Sequence, residues 1–206
     1  NNISEYDRAA EKCEVALQAL DPKMSIDGRN TQAAEIKRKQ AFTYINKGDY
    51  ERALILLKEA EGAVDDPLSS TMARICLTTA GALYRQGDAG LALDWCRRGL
   101  DIAEKIGDTS VLAHAYRLRG TIHTGLGVLE KALADYEASI ALAGQQDDLM
   151  QLMTADNSIG AVYHYKGKWS SALEFYSRSL QIAEEIGHVE QRATVNNNLG
   201  EVYLSQ

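Results

Sequence analysis

The sequence predicts an all-α fold of stacked antiparallel helix pairs, and an internal repeat of about 40 residues is the main reason. Alanines mark the repeat at steps of 39 to 44 residues: Ala9, Ala53, Ala92, Ala132 and Ala172. Glycines stand five residues before four of them, at Gly48, Gly87, Gly127 and Gly167. Between these marks the apolar residues have helical spacing, for example Ala172, Leu173, Tyr176, Leu180 and Ala183.

The glycines and their neighbours predict where each helix ends. A glycine between the two helices of a pair closes the first helix, because glycine adopts the left-handed conformation without steric cost. Asp49 and Asp88 follow two of these glycines and are good N-caps for the second helix. Pro22 and Pro67 fall between pairs, where a helix must stop.

A second set of small residues predicts close contact between helices. One slot in the first helix of each pair holds only alanine or glycine: Ala41, Ala80, Gly120, Gly160 and Gly200. We expect a neighbouring helix to approach the backbone at this slot.

The motif order resembles that of the tetratricopeptide repeat, in which a small residue and a tyrosine in helix A precede a turn, an alanine and an aromatic in helix B. The matching residues are Gly160, Tyr163, Gly167, Trp169, Ala172 and Tyr176. The resemblance covers nearly the whole chain and implies a right-handed α–α superhelix, a tetratricopeptide solenoid. The unit is longer than the basic 34-residue form. It is similar to the long repeats of Pins-type adaptors and bacterial peptide-sensing regulators, as is the sequence Asn198-Leu199-Gly200.

Ten helices are expected in a single solenoid over residues 1–206. A lone helix B is predicted over 4–20, complete repeats over 34–66, 73–108, 113–146 and 153–187, and a lone helix A over 193–206. Because the pattern starts and stops in mid-repeat, we expect a fragment of a longer solenoid. The segment from Asp21 to Asn30 is predicted to be an irregular link.

Composition disfavours several classes of protein. The net charge of −7 argues against a nucleic-acid-binding domain, which is usually basic. The apolar runs are too short to span a membrane. Three cysteines, Cys13, Cys76 and Cys96, fit neither a disulfide framework nor a zinc site, and we expect a reducing, cytoplasmic compartment.

No residue set predicts catalysis, a metal site or a cofactor. His123 occupies a slot that holds tyrosine in other repeats, which indicates a packing role. His114 and His164 lie in different repeats, without an acidic residue at the spacing of metal ligands. The cysteines fall on core positions, although a reactive thiol needs exposure and a polarising base. The sequence therefore predicts a protein that is not an enzyme.

The A helices are expected to line the concave face of the solenoid and to bind a ligand there. Their five 14-residue segments carry a net charge of +6 within a chain of −7. The predicted peptide-binding residues are Arg38, Phe42, Arg74, Leu77, Tyr84, Arg85, His114, Arg117, Thr121, Asn157, His164 and Asn197. Arginines suit carboxylates and asparagines suit a peptide backbone. Chaperone-binding tetratricopeptide proteins have a Lys followed four residues later by an Asn in successive A helices. This pattern is absent here, where Phe42 follows Arg38 and Thr121 follows Arg117.

We predict a protein- or peptide-binding scaffold within a larger cytoplasmic signalling or regulatory protein. Its partner would be an acidic or C-terminal segment, with no nucleic acid and no membrane. The alternative is an effector-sensing domain beside an enzymatic or DNA-binding domain. Phosphatase activity on response regulators would need a positioned glutamine or acid that the sequence does not reveal. Head-to-tail self-association through the incomplete end repeats is also expected, because each would cover the other.

Overall fold

A computed structural model describes residues 2–21, 25–145 and 147–205. Within these ranges the chain forms ten α-helices and no strand, which confirms the predicted all-α class. The helices are α1 (Asn2–Gln18), α2 (Ile26–Lys47), α3 (Tyr50–Ala63), α4 (Ser70–Gln86), α5 (Ala89–Ile106), α6 (Thr109–Gly125), α7 (Leu129–Gly144), α8 (Leu149–Tyr165), α9 (Trp169–Glu185) and α10 (Val189–Ser205).

The helices fall into two compact units, Asn1–Asp108 and Thr109–Gln206. In the first unit α2 pairs with α3 and α4 with α5, α1 packs on α2, and α3 packs on α4. In the second unit α6 pairs with α7 and α8 with α9, α7 packs on α8, and α10 packs on α9. Each unit is therefore a stack of helix pairs. We call α2, α4, α6, α8 and α10 the A helices and the others the B helices.

The predicted turn chemistry is confirmed. The turn glycines have positive φ, and Gly87, at +105°, closes α4 by donating its N–H to the carbonyls of Leu83 and Tyr84. Asp49 accepts from the N–H of Arg52 at 3.2 Å, and Asp88 from that of Leu91 at 2.9 Å. These caps satisfy backbone groups that a helix end leaves without partners.

The link before the first complete pair is shorter than expected. Residues 26–30 belong to α2, because Ser25 caps the helix by accepting from the N–H of Gly28 at 3.2 Å. The predicted start at Ala34 is thus eight residues late. The Ser25 cap starts the helix at Ile26 although the segment is polar and lacks apolar periodicity. Pro22 lies outside the described residues.

The small-residue slot is filled by side chains from the B helices. A Cβ added at Gly120 would lie 2.7 Å from Cε1 of Tyr136, and one at Gly160 would lie 2.6 Å from Cδ1 of Tyr176. In the first pair Ala41 and the smaller Leu57 share one core cluster. A glycine is thus paired with tyrosine and an alanine with a smaller residue, so the helices keep close contact.

No helix in the part of the chain that the structure describes combines the length and apolar character needed to cross a bilayer.

Candidate functional site

Adjacent A helices lie side by side within each unit and form what we call the A-helix face. In the first unit α2 contacts α4, and in the second α8 contacts both α6 and α10. Gln151 on α8 donates to the carbonyl of Ser110 on α6 at 3.1 Å. Such contacts fix the spacing of the side chains that the A helices present.

Four predicted residues of the first unit, Phe42, Arg74, Tyr84 and Arg85, are exposed or partly exposed. Phe42 is 52% exposed, which is unusual for so large an apolar side chain. Arg74 is exposed, Tyr84 is half-buried, and Arg85 donates to Oδ1 of Asn46 at 3.1 Å. They combine an apolar contact surface with cationic groups.

Arg38 is less available than the sequence suggested. Its guanidinium donates to Oε2 of Glu35 through Nε at 3.0 Å and Nη2 at 2.8 Å. Because one carboxylate already occupies this donor pair, a ligand carboxylate would have to compete with Glu35.

The assignment of Leu77 to the binding face is wrong. Leu77 is 1% exposed, and its Cδ2 would lie 2.8 Å from a Cβ at Gly99 on α5. Position 77 faces the partner B helix, because the missing side chain of Gly99 leaves room for it. Gly99 was the sequence signal that would have placed Leu77 in the core.

In the second unit, α6 presents Arg117, Thr121 and Thr124 at helical spacing, with His114 one turn earlier. All four side chains are partly buried. Tyr136 crosses from α7 over Gly120, and its hydroxyl lies 3.2 Å from Oγ1 of Thr124 and 3.4 Å from Oγ1 of Thr121. Gly120, sixteen residues earlier, is the sequence signal for a ring that crosses the A helix at this point.

Desolvation lowers the pKa of Arg117, and the nearby Tyr136 offsets this effect in part. Among the described residues none forms an ion pair or a guanidinium hydrogen bond with it. Arg119, two residues later, instead donates to Asp135 at 2.6 Å. Arg117 is thus a partly desolvated cation with no ion-pair partner in the part of the chain that the structure describes.

The predicted asparagines differ in role. Oδ1 of Asn157 accepts from Nδ2 of Asn198 at 2.9 Å, which joins α8 to α10. Asn197 is exposed and donates to Oε1 of Glu201 at 3.1 Å. Nε2 of His164 lies 3.3 Å from Oγ of Ser205. The amide pair between Asn157 and Asn198 was not predicted.

A polar cluster between α6 and α7 was also not predicted from the sequence. Asp135 is 5% exposed, accepts from Arg119 and lies 2.8 Å from Nδ1 of His123. The equivalent residues 40 positions later are Tyr163 and Phe175, whose stacked rings are 5.5 Å apart. The packing role predicted for His123 is therefore supported, with a hydrogen-bonded pair of His123 and Asp135 in place of an aromatic pair.

Cys76 lies in the core, where its side chain is 0% exposed. Burial raises the pKa of the Cys76 thiol to about 11, which disfavours the reactive thiolate. No group of three potential metal-ligating side chains occurs in residues 2–21, 25–145 and 147–205.

Comparison with known proteins identifies the repeat. The model of the tetratricopeptide repeat family matches residues 151–206. No curated protein sequence matches the chain.

Solved structures share the fold over nearly the whole chain. BtubC from P. vanneervenii is 21% identical with a TM-score of 0.72, over 98% of this chain and 82% of BtubC. A Rap protein complexed with Competence and Sporulation Factor is 18% identical with a TM-score of 0.83, over 98% of this chain and 58% of the Rap chain. The Rap conjugation gene regulator of the plasmid pLS20, in complex with the Phr* peptide, is 19% identical with a TM-score of 0.77. The match covers 94% of this chain and 51% of the regulator.

At these identities the similarity establishes the fold alone, and the chain spans little more than half of the Rap proteins. The family match, the registered glycine and alanine slots and the stacked helix pairs agree with one another. Residues 151–206 match the tetratricopeptide repeat family, and the chain shares its fold with these structures.

Proposed function

We propose that this chain is a non-catalytic binding module that holds a protein or peptide segment against the A-helix face of a unit. The observation that carries the proposal is Arg117, a partly desolvated cation with no ion-pair partner among the described residues. Such a group carries a desolvation penalty in the free protein, and an incoming anion offsets that penalty. The family match over residues 151–206 supports this class of function, as do the Rap structures solved with Competence and Sporulation Factor and with the Phr* peptide.

The ligand that fits best is an acidic or C-terminal segment. The A-helix segments carry +6 in a chain of −7, so an acidic segment is attracted to them rather than to the rest of the surface. In the first unit, Phe42 and Tyr84 supply apolar contact area beside Arg74. We also propose that this module is part of a larger cytoplasmic signalling or regulatory protein.

A second function is an effector-sensing domain of a multidomain regulator. A signal transduction ATPase with a tetratricopeptide repeat sensor, from Pyrococcus horikoshii, is 18% identical with a TM-score of 0.74. The match covers 100% of this chain and 32% of that protein. If this is correct, a small effector will bind and a protein segment will not.

Head-to-tail self-association remains a prediction. On α10, Tyr203 is 65% and Leu204 91% exposed, and Val15 on α1 is 60% exposed. A contact between these helices of different copies would bury them and propagate as open chains. Light scattering at increasing concentration tests it: growing mass supports the contact, and a constant monomer mass contradicts it.

The binding proposal is tested by capturing partners with the immobilised chain and mapping the purified complex by hydrogen exchange. We expect protection of A-helix amides and unchanged exchange along the outer sides of the B helices. Protection confined to B helices or to interhelical loops would contradict the proposal.

A further inference from the structure

The turns that join each A helix to its B helix differ in chemistry between the two units. In the first unit Asp49 and Asp88 cap the helices that follow these turns. In the second unit Val128 and Lys168 stand at the N-cap positions, and neither forms a side-chain cap hydrogen bond. Because an aspartate at the N-cap stabilises a helix, the second unit lacks a stabilising contact at both turns.

Exposed apolar side chains gather at the two turns of the second unit. The exposed fractions are 49% for Leu126, 38% for Val128, 75% for Tyr165 and 38% for Trp169. Forty residues before the first two of these, the first unit has the polar residues Gln86 and Asp88. A cluster of exposed apolar side chains, unlike a single one, indicates an interaction surface.

The two turns adjoin, so these side chains belong to one surface. Nζ of Lys166 donates to Oε1 of Glu130 at 2.9 Å, which joins the end of α8 to the first turn of α7. A shallow hollow of about 530 Å³ lies there, lined by residues 167–171. Lys168 is exposed and makes this surface cationic as well as apolar. We give the name turn patch to Leu126, Val128, Tyr165, Lys166, Lys168 and Trp169.

The loop between α3 and α4 has the complementary character. Asp65, Asp66, Pro67 and Leu68 are all exposed, and we call these four residues the acidic loop. Oδ1 of Asp66 accepts from the N–H of Leu68 at 2.9 Å. Oδ2 of Asp65 accepts from Nδ2 of Asn30 at 3.2 Å. These bonds hold the loop in one shape, so little conformational entropy is lost when it binds.

We propose that the acidic loop of one copy of the chain docks on the turn patch of a second copy. Leu68 enters the hollow beside Trp169, and Asp65 and Asp66 lie next to Lys168. A second copy is the occupant that fits, because four consecutive residues of the chain itself supply both the apolar group and the opposite charges. Each copy carries both surfaces, so the contact is heterologous and continues from copy to copy unless it closes into a ring.

Sedimentation velocity of the purified chain at low ionic strength, at concentrations up to about 1 mM, tests the contact, since a contact between so few side chains is weak. We expect the mean mass to rise with concentration and the association to weaken as salt is added. A second readout uses Trp95→Phe protein, in which Trp169 is the remaining tryptophan. Its emission should shift to shorter wavelength with concentration as the ring is covered.

Charge reversals on the two surfaces identify the contact. Lys168→Glu and Asp65→Lys should each weaken association by about tenfold or more, because each places like charges together. Their equimolar mixture should associate again, since the first variant keeps the acidic loop and the second keeps the turn patch. Arg192→Glu and Asp101→Lys make the same changes in net charge at other exposed positions and should associate like the wild type. Circular dichroism should show the same helicity for all four variants.

Three results would overturn the inference. One is a constant monomer mass at every concentration. Another is association that neither Lys168→Glu nor Asp65→Lys weakens, which a contact between α1 and α10 would produce. The third is a mixture of these two variants that stays monomeric although both keep their helicity. The turn patch and the acidic loop lie outside the A-helix face, so any of these results leaves the proposed function intact.

Discussion

Gly160 on α8 and Tyr176 on α9 fit together so closely that a Cβ at position 160 would lie 2.6 Å from Cδ1 of the ring. The ring atoms cannot move away without loss of the core contacts around Tyr176, which is 2% exposed. Gly200 occupies the equivalent slot of α10, and there a Cβ would meet nothing within 4 Å. The same slot is thus closed in one helix and open in the other.

Gly160→Ala should lower the free energy of unfolding by about 1 to 3 kcal/mol, because overpacking outweighs the gain in helix propensity. Gly200→Ala is the matched control and should raise it by up to about 1 kcal/mol, because only propensity changes. Urea denaturation measures both. Equal effects of the two substitutions would contradict the packing described at Gly160.

Ala132→Leu tests the repeat register at a B-helix position. Ala132 is 0% exposed in a core cluster with Tyr136, Ile159 and Val162, so the larger side chain should destabilise the protein by roughly 1 to 3 kcal/mol. Ala134→Leu, at an exposed position of the same helix, should change stability by less than about 0.5 kcal/mol. A melting temperature of Ala132→Leu equal to that of the wild type would show that the register is wrong.

The buried Asp156 predicts a pH-dependent stability. It is 1% exposed, and neither of its oxygens accepts a hydrogen bond, although Nη2 of Arg178 lies 3.2 Å from Oδ1. Burial raises its pKa to about 6. Between the ordinary value near 4 and this one, the folded state binds more protons than the unfolded state. The contribution of this group to stability therefore falls as pH rises from about 4 to about 6.

Asp156→Asn should accordingly stabilise the protein at pH 7 by about 1 to 2 kcal/mol and have little effect at pH 4. Arg178→Gln should destabilise the protein at pH 7, since it removes the cation that favours the charged carboxylate of Asp156. Denaturant unfolding across this pH range gives both curves. A destabilised Asp156→Asn at pH 7 would refute the assignment of a strained buried charge.

In the Asp135 cluster, we expect substitutions to have non-additive effects on the free energy of unfolding. Asp135→Phe alone removes the buried carboxylate that Arg119 and His123 contact, and it should lower the free energy of unfolding by about 2 to 4 kcal/mol. Adding Arg119→Ile and His123→Tyr reproduces the residues found 40 positions later, where Tyr163 stacks on Phe175. The triple variant should regain wild-type stability within about 1 kcal/mol. Additive losses would show that the two repeats are not equivalent here.

Local chemistry explains what the sequence predicted well. Turn glycines, aspartate caps and the small-residue slot act through neighbours at fixed sequence distance, so Gly87, Asp88 and Gly160 indicated their structures directly. The start of α2 was missed because the capping residue Ser25 lies in a polar stretch with no apolar periodicity.

The candidate site was harder to predict, because the partner of a side chain depends on contacts between helices. Periodicity placed Leu77 on the binding face, and only the packing against Gly99 shows that it belongs to the core. Arg38 and Arg117 occupy the same repeat position, yet only Arg38 has a carboxylate three residues earlier, at Glu35. That difference is visible in the sequence once the A-helix face is known.

The most direct test of binding at the A-helix face is calorimetric titration of a captured partner against variants with reversed charges. Arg74→Glu with Arg117→Glu changes one cation on the A-helix face of each unit. Arg97→Glu with Lys131→Glu makes the same change in net charge at exposed positions on the B helices. Binding at the A-helix face predicts at least tenfold weaker affinity for the first pair and less than a twofold change for the second, with unchanged helicity in both. Equal affinities for the two double variants would contradict binding at the A-helix face.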